Sequence, residues 1–439
     1  MTEFASPTAL PSHGGISRRS FNRLIAGSAL AAPLIGTRAF GQDAATFKIG
    51  YIGPQSGPLG IFGAHDGYLI DAIRANLAGG IDVGGSKMNV EIITADTQSD
   101  PVRASQITRD MINSEAPDLI LTHSAPETVN PVSDACEAGA TPCLSTVAPW
   151  EAFYFGRGGK PGEQSFKWTF HFSFGSGNFV NLYDGQWSLL ETNKKVGTLI
   201  PSDADGNAIR AGLLPAMAEK GWDVVDPGPY ENMSQDFTTQ IEAFKSAGVE
   251  IVVCFPFPPD FPVFWRQAAQ RGLAQQLKVM QMAKAGLFAA EMEALGDLGQ
   301  GLCTGVYWHP AFPFSSTAAG LSNADLGKAY EAATGAQWAQ ALGASASLFD
   351  AAIALAQHSG NPKDKEALAA TLPKLKAETA VGTVDFSAGP VPNCAVSGLA
   401  GGQWNKAAEG PFQFQLDLVS NADFPQIQLT SDFKPLAFG

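Results

Sequence analysis

Apolar and polar positions switch repeatedly between a period of two and a period near 3.6. Residues 47–52 (Phe-Lys-Ile-Gly-Tyr-Ile) read as a strand, and the Gly-rich stretch 53–60 as a loop. Residues 64–77 then place Leu69, Ile70, Ile73 and Leu77 on one helical face. A strand over 90–96, a helix over 101–113 with Pro101 in its first turn, and strands over 118–122 and 142–145 follow. This strand–helix rhythm predicts a parallel sheet covered by helices. It restarts after the aromatic run 166–172. Strands are expected at 195–200, 222–225, 251–254 and 277–280, with helices at 207–220, 238–247 and 262–271. Helical spacing returns at 326–334 and 345–357 and is read as a return to the first lobe. Beyond Val381 the pattern is of short strands with Gly and Pro turns. The predicted fold class is α/β, with two doubly wound parallel-sheet lobes joined by several chain crossings. Lobe 1 is expected at 46–170 plus 312–390, and lobe 2 at 171–311 plus 391–439.

The first 41 residues fall outside this rhythm. Arg18 and Arg19 precede an apolar run, 24–36, too short to span a bilayer, and small residues follow to Gly41. The pattern is that of an export signal, and Ser17-Arg18-Arg19-Ser20-Phe21 resembles a bacterial twin-arginine signal. The working protein is therefore expected in the periplasm. Of 28 basic and 42 acidic residues, this segment holds Arg18, Arg19, Arg23, Arg38 and Glu3. The remainder carries 24 basic and 41 acidic residues, a formal charge of −17. Such a charge argues against nucleic acid and anionic membranes as partners and favours a self-repelling monomer. About 400 residues exceed what one core normally holds, which also predicts two domains.

Five cysteines, Cys136, Cys143, Cys254, Cys303 and Cys394, form no Cys-x-x-Cys pair. Cys136–Cys143 is a conceivable disulfide, but most read as small buried hydrophobes. His123, His171 and His309 match no metal-ligand spacing. No nucleophile elbow, His-Glu-x-x-His or Walker loop occurs. No catalytic residue, metal or cofactor is expected, and the chain reads as a binder rather than an enzyme.

Residues 49–58 (Ile-Gly-Tyr-Ile-Gly-Pro-Gln-Ser-Gly-Pro), 130–134 (Asn-Pro-Val-Ser-Asp) at the head of a helix, and 203–207 (Asp-Ala-Asp-Gly-Asn) resemble segments of the branched-chain amino-acid type of periplasmic binding protein. Asp236-Phe237, 265–268 (Trp-Arg-Gln-Ala) and 332–335 (Ala-Ala-Thr-Gly) add to these, and the resemblance covers nearly all of 46–400. It implies a type I periplasmic binding fold serving an ATP-driven importer, with a small-molecule solute and a membrane permease as partners. A receptor that presents its closed form to a sensor kinase is the alternative, and an enzyme acting in the cleft the third.

In open α/β sheets ligands gather beyond the carboxyl ends of strands. That places the loop Ser56–Phe62 in a cleft, as an anion cradle or a plain turn. The resemblance implies that the loop after residue 122 offers a hydroxyl or backbone amide to a ligand carboxylate, through Ser124 or Thr128. It maps a backbone group and a hydroxyl in the next loop onto Ala148 and Trp150. A tryptophan in that place suggests a flatter, more apolar ligand. In lobe 2 the candidates are Asp205, Phe255, Phe257 and Lys284, with Trp308 at a crossing. The family's two tyrosines and ammonium-binding carboxylate are missing there, and Lys284 stands beside the carboxylate's position. The expectation is that Lys284 draws in a ligand carboxylate. Asp203 and Asp205 also fit a polar turn that caps a helix. The solute expected is a small organic carboxylate, amino-acid-like or aromatic.

Overall fold

The computed structural model describes residues 45–437. The export signal read at 1–41 lies outside the described residues. Two seven-stranded sheets form the frame. In spatial order the first holds Cys394–Val396, Thr169–Ser173, Cys143–Thr146, Leu119–His123, Thr46–Gly53, Ser86–Asp96 and Ile81–Val83. Its interior strands pair in parallel, with Thr46–Gly53 between Ser86–Asp96 and Leu119–His123. The five residues Leu119–His123 are all buried, as a strand covered on both faces requires. The second sheet runs Phe414–Ser420, Ala400–Lys406, Cys303–Val306, Val279–Met282, Ile251–Cys254, Lys195–Leu199 and Asp223–Val225. Its first two strands are antiparallel additions to a parallel set.

The strands and helices expected from periodicity are present with shifted ends. Periodicity missed the edge strand Ile81–Val83, joined to Ser86–Asp96 by Gly84 and Gly85, both at positive φ. Paired positive φ values suit a two-residue hairpin, and glycine reaches them without strain. It also missed Cys303–Val306 and helix Ser176–Trp187, whose Gly177, Asn178, Asn181 and Gly185 break up the apolar spacing. Helix Pro126–Ala138 starts at its proline, so 130–134 lies in its body and not at its head.

The chain crosses between sheets three times, after Ser173, after Val306 and after Val396. Two expected lobe boundaries therefore move. Strand Thr169–Ser173 continues past residue 170 because it pairs with Cys143–Thr146 along its length. Cys394–Val396, expected in lobe 2, is instead an edge of the first sheet, in parallel register with His171–Ser173. Helix Gln340–Ser359 packs on Leu119–His123 and Cys143–Thr146, in the first lobe. One hydrophobic cluster runs from Leu119 and Phe62 through Phe174 and Tyr307 to Phe179, Phe255 and Leu287, so the lobes meet around a shared apolar centre.

All five cysteines are buried free thiols. Among the described residues no helix is long and apolar enough to cross a membrane, and no group of three or more His, Cys, Asp or Glu is placed to hold a metal ion.

Candidate binding cleft

A cleft of about 490 Å³, its mouth included, lies between the lobes at the carboxyl ends of both sheets. From lobe 1 come Phe62, Ser124, Ala125, Pro126, Val147 and Pro149. Phe174, Tyr307 and Leu399 enter from the three crossings, Gly305 from strand Cys303–Val306, and Phe179, Phe255 and Leu287 from lobe 2. The wall is mostly aromatic and aliphatic. Phe174 stacks on Tyr307 at 5.5 Å, and Phe179 meets Phe255 edge-on at 5.4 Å. Phe62 closes one side against Phe288 of the other lobe, edge-on at 5.0 Å.

Four lining side chains are polar: Ser124, Asp205, Lys284 and Tyr307. All four are buried; Ser124 Oγ, Asp205 Oδ1 and Tyr307 Oη have no hydrogen-bond partner in the protein, and Lys284 Nζ has only ion contacts. Buried polar atoms are normally paired, and three orphans on the wall of one cavity point to a ligand or water that completes them. Two strand-end residues on the wall are also strained. Ser124 has φ 118° and Val147 φ 81°, a value a β-branched side chain rarely tolerates. Strain of this kind collects where a loop must present groups to a ligand.

Charge concentrates at one corner. Lys284 Nζ makes ion contacts with Asp205 Oδ2 at 2.9 Å and Asp203 Oδ2 at 3.7 Å, and lies 4.9 Å from the Phe257 ring centroid. Burial alone would lower its pKa. The fields of Asp205, Glu127 and Asp203 outweigh burial and hold it above the ordinary lysine range. Burial raises the Asp205 carboxyl, against the pull of Lys284. It raises Glu127 as well, and neither carboxylate oxygen of Glu127 has a partner. Asp203 caps helix Ala204–Glu219, accepting from Gly206 N at 2.7 Å, as its turn motif predicted.

This geometry corrects the expectation for Lys284. Its charge is already answered by two carboxylates of its own lobe, with a third nearby, so a ligand carboxylate would meet net repulsion. Of the other expected residues, Phe62, Ser124, Asp205 and Phe255 line the cleft. Ser56 does not. Its hydroxyl donates to Asp96 Oδ2 at 2.7 Å, and the amides of Gly60 and Phe62 donate within their own turn. Thr128 is buried inside its helix, its hydroxyl bonded to Ala125 O. Ala148 gives its carbonyl to His171 Nε2 at 2.8 Å. Trp150 donates its backbone N–H to Phe174 O, and its ring packs on Phe155 and Gly175 outside the wall. Phe257 stands behind Lys284. Trp308 is buried, with Nε1 donating to Asn323 Oδ1 at 2.8 Å. Phe179, Leu287 and Leu399 were not anticipated. Phe179 sits on the helix that periodicity missed, and Leu399 on the third crossing.

The three histidines weighed as ligands are structural. His171 donates to Ala148 O and accepts from Ser145 Oγ at 2.8 Å. His309 donates to Leu416 O and accepts from Ala311 N. His123 contacts buried Asp66 at 3.3 Å.

Two sheets crossed three times, with a largely apolar cleft at their shared carboxyl ends, define a two-lobed receptor of the type I periplasmic binding fold. The chain belongs to the periplasmic binding protein family, whose model matches residues 46–408. A relative in Pseudomonas aeruginosa, the leucine-, isoleucine-, valine-, threonine- and alanine-binding protein, is 24% identical over 287 residues, 64% of this chain and 70% of the relative. Two solved structures share the fold. A solute-binding protein of an ABC transporter from Rhodopseudomonas palustris BisB5, in complex with 3,4-dihydroxybenzoic acid, superposes with TM-score 0.70 at 18% identity, covering 88% of this chain and 99% of that one. A second from R. palustris, in complex with 4-hydroxybenzoate, gives TM-score 0.67 at 17% identity, covering 84% and 97%.

Proposed function

We propose that this is a periplasmic receptor for a small aromatic carboxylate, which it captures between its lobes and delivers to the permease of an ABC importer without chemical change. The observation that carries this reading is the wall: five aromatic rings, Tyr307 among them, and several aliphatic groups around Ser124, Asp205 and Lys284. The carboxylate is assigned to the lobe 1 side of the cleft, where the buried Ser124 hydroxyl has no partner in the protein. The ring then lies among Phe62, Phe174, Phe179 and Phe255. The two related proteins seen with hydroxybenzoates are consistent with this class, and the amino-acid-binding relative keeps an apolar amino acid as the competing ligand. Closure on the solute selects the shape that the permease would engage.

The test is direct. Purified protein is denatured and any released solute identified by mass spectrometry, and benzoates and branched-chain amino acids are then titrated by calorimetry. Binding of benzoates in preference to leucine or valine is expected. Binding of the amino acids alone would overturn the aromatic reading.

A further inference from the structure

The charged corner restricts what the far end of the solute can be, given the reading of an aromatic carboxylate. Asp205 Oδ1 is a buried acceptor with no donor. Lys284 Nζ, 2.9 Å from the other oxygen of the same carboxylate, has three N–H donors, of which its contacts with Asp205 and Asp203 use at most two. The cleft therefore presents a vacant acceptor and a vacant donor on adjoining side chains of one ion pair.

Each class of polar group meets this pair differently. An ammonium donates to Asp205 and is drawn by Asp203 and Glu127, but it must sit against the Lys284 ammonium, which lies 2.9 Å from the other oxygen of the same carboxylate. A carboxylate accepts from Lys284 but faces Asp205, Asp203 and Glu127. An ether or carbonyl accepts from Lys284 and leaves Asp205 Oδ1 unpaired, which costs its full desolvation. A hydroxyl donates to one and accepts from the other, and brings no charge. A hydroxyl has the donor and acceptor of a water molecule and can take a water's place with its hydrogen bonds intact.

We propose that the solute carries a hydroxyl group on its aromatic ring, and that the Asp205–Lys284 pair selects it as donor and acceptor at once. The pair thus acts as a specificity filter. Lys284 serves as the internal counter-ion that lets Asp205 stay ionised while buried, rather than as the anchor of the ligand carboxylate.

The wild-type protein tests this without mutation. Calorimetry is run with benzoate, 3-hydroxybenzoate, 4-hydroxybenzoate, 4-methoxybenzoate and 4-(aminomethyl)benzoate. One of the two hydroxybenzoates is expected to bind about ten- to a hundredfold tighter than benzoate, the range for a hydrogen bond to a charged group. The methoxy and aminomethyl compounds are expected to fall at or below benzoate. Benzoate binding as tightly as both hydroxybenzoates would overturn the hydroxyl filter while leaving the aromatic-carboxylate reading intact. Tightest binding by the aminomethyl compound would overturn it in favour of a cation site. Failure of every probe would overturn both readings. Asp205→Asn, checked for a cooperative melting transition, is expected to lose most of the preference for hydroxyl over hydrogen. A folded D205N that keeps that preference would refute the role of the pair.

Discussion

Replacing Lys284 by Met isolates the worth of the buried charge cluster. Methionine keeps much of the stem's length and its packing over Phe257 while removing the ammonium. At an effective dielectric of about 20, the contacts at 2.9 and 3.7 Å correspond to attractions of roughly 6 and 4.5 kcal/mol. Desolvating the ammonium offsets several kcal/mol of that sum. What the variant cannot recover is the pairing of Asp205, which stays buried with its negative charge unanswered. Breaking a buried pair in this way typically costs about 3–5 kcal/mol. The loss should depend on pH. Burial already raises the Asp205 carboxyl, and without Lys284 it rises further. A carboxyl with a raised folded-state pKa contributes stability that is present below its unfolded value and lost as pH rises through the folded value. The gap between wild type and Lys284→Met should therefore be small near pH 4 and widen towards pH 8, by up to about 1.4 kcal/mol per pH unit. Urea denaturation at both pH values measures it. A gap below about 0.5 kcal/mol at pH 8, or one that does not change with pH, would refute the reasoning, since exposed pairs behave that way.

Burial holds His171 neutral, its pKa pushed down to about 3 against the opposing bond to Ala148 O, so its contribution to stability is present above about pH 6.5 and lost as pH falls towards 3. His171→Gln should be less stable at pH 7 but flatter between pH 6.5 and 3, by up to about 1.4 kcal/mol per pH unit, in denaturation titrations. Phe255→Leu keeps apolar volume but removes the ring facing Phe179. It should weaken benzoate binding by about two- to tenfold in calorimetry, the worth of an aromatic pair, and an unchanged Kd would place the ligand elsewhere. Replacing Arg18 and Arg19 by Lys should leave the precursor in the cytoplasm on cell fractionation, while unchanged periplasmic yield would exclude the twin-arginine route.

The sequence determined the architecture because the parallel-sheet signal is local. Continuous apolar runs such as Leu119–Leu121, each followed by a 3.6-residue stripe, require a sheet covered on both faces, and two such series require two lobes. It also located the strand ends from which a cleft is built, which is why Phe62, Ser124, Asp205 and Phe255 were anticipated there. It did not determine which way a side chain turns once the strand is left. Past the last ladder bond the alternation of faces ends, and local contacts decide. Thus Thr128 bonds within its own helix, Trp150 packs on Gly175, and Trp308 seeks Asn323. The electrostatics were equally closed to inspection of the chain. Lys284 read alone is a free cation that would attract a carboxylate. Folding brings its ammonium 2.9 Å from Asp205 and beside Asp203, two acids on the segment that opens a helix of the same lobe, and the isolated charge becomes half of a pair. Periodicity reports how each element faces the core. Only the closing of one sheet's carboxyl ends against the other's decides which charges meet, and so which solute they admit.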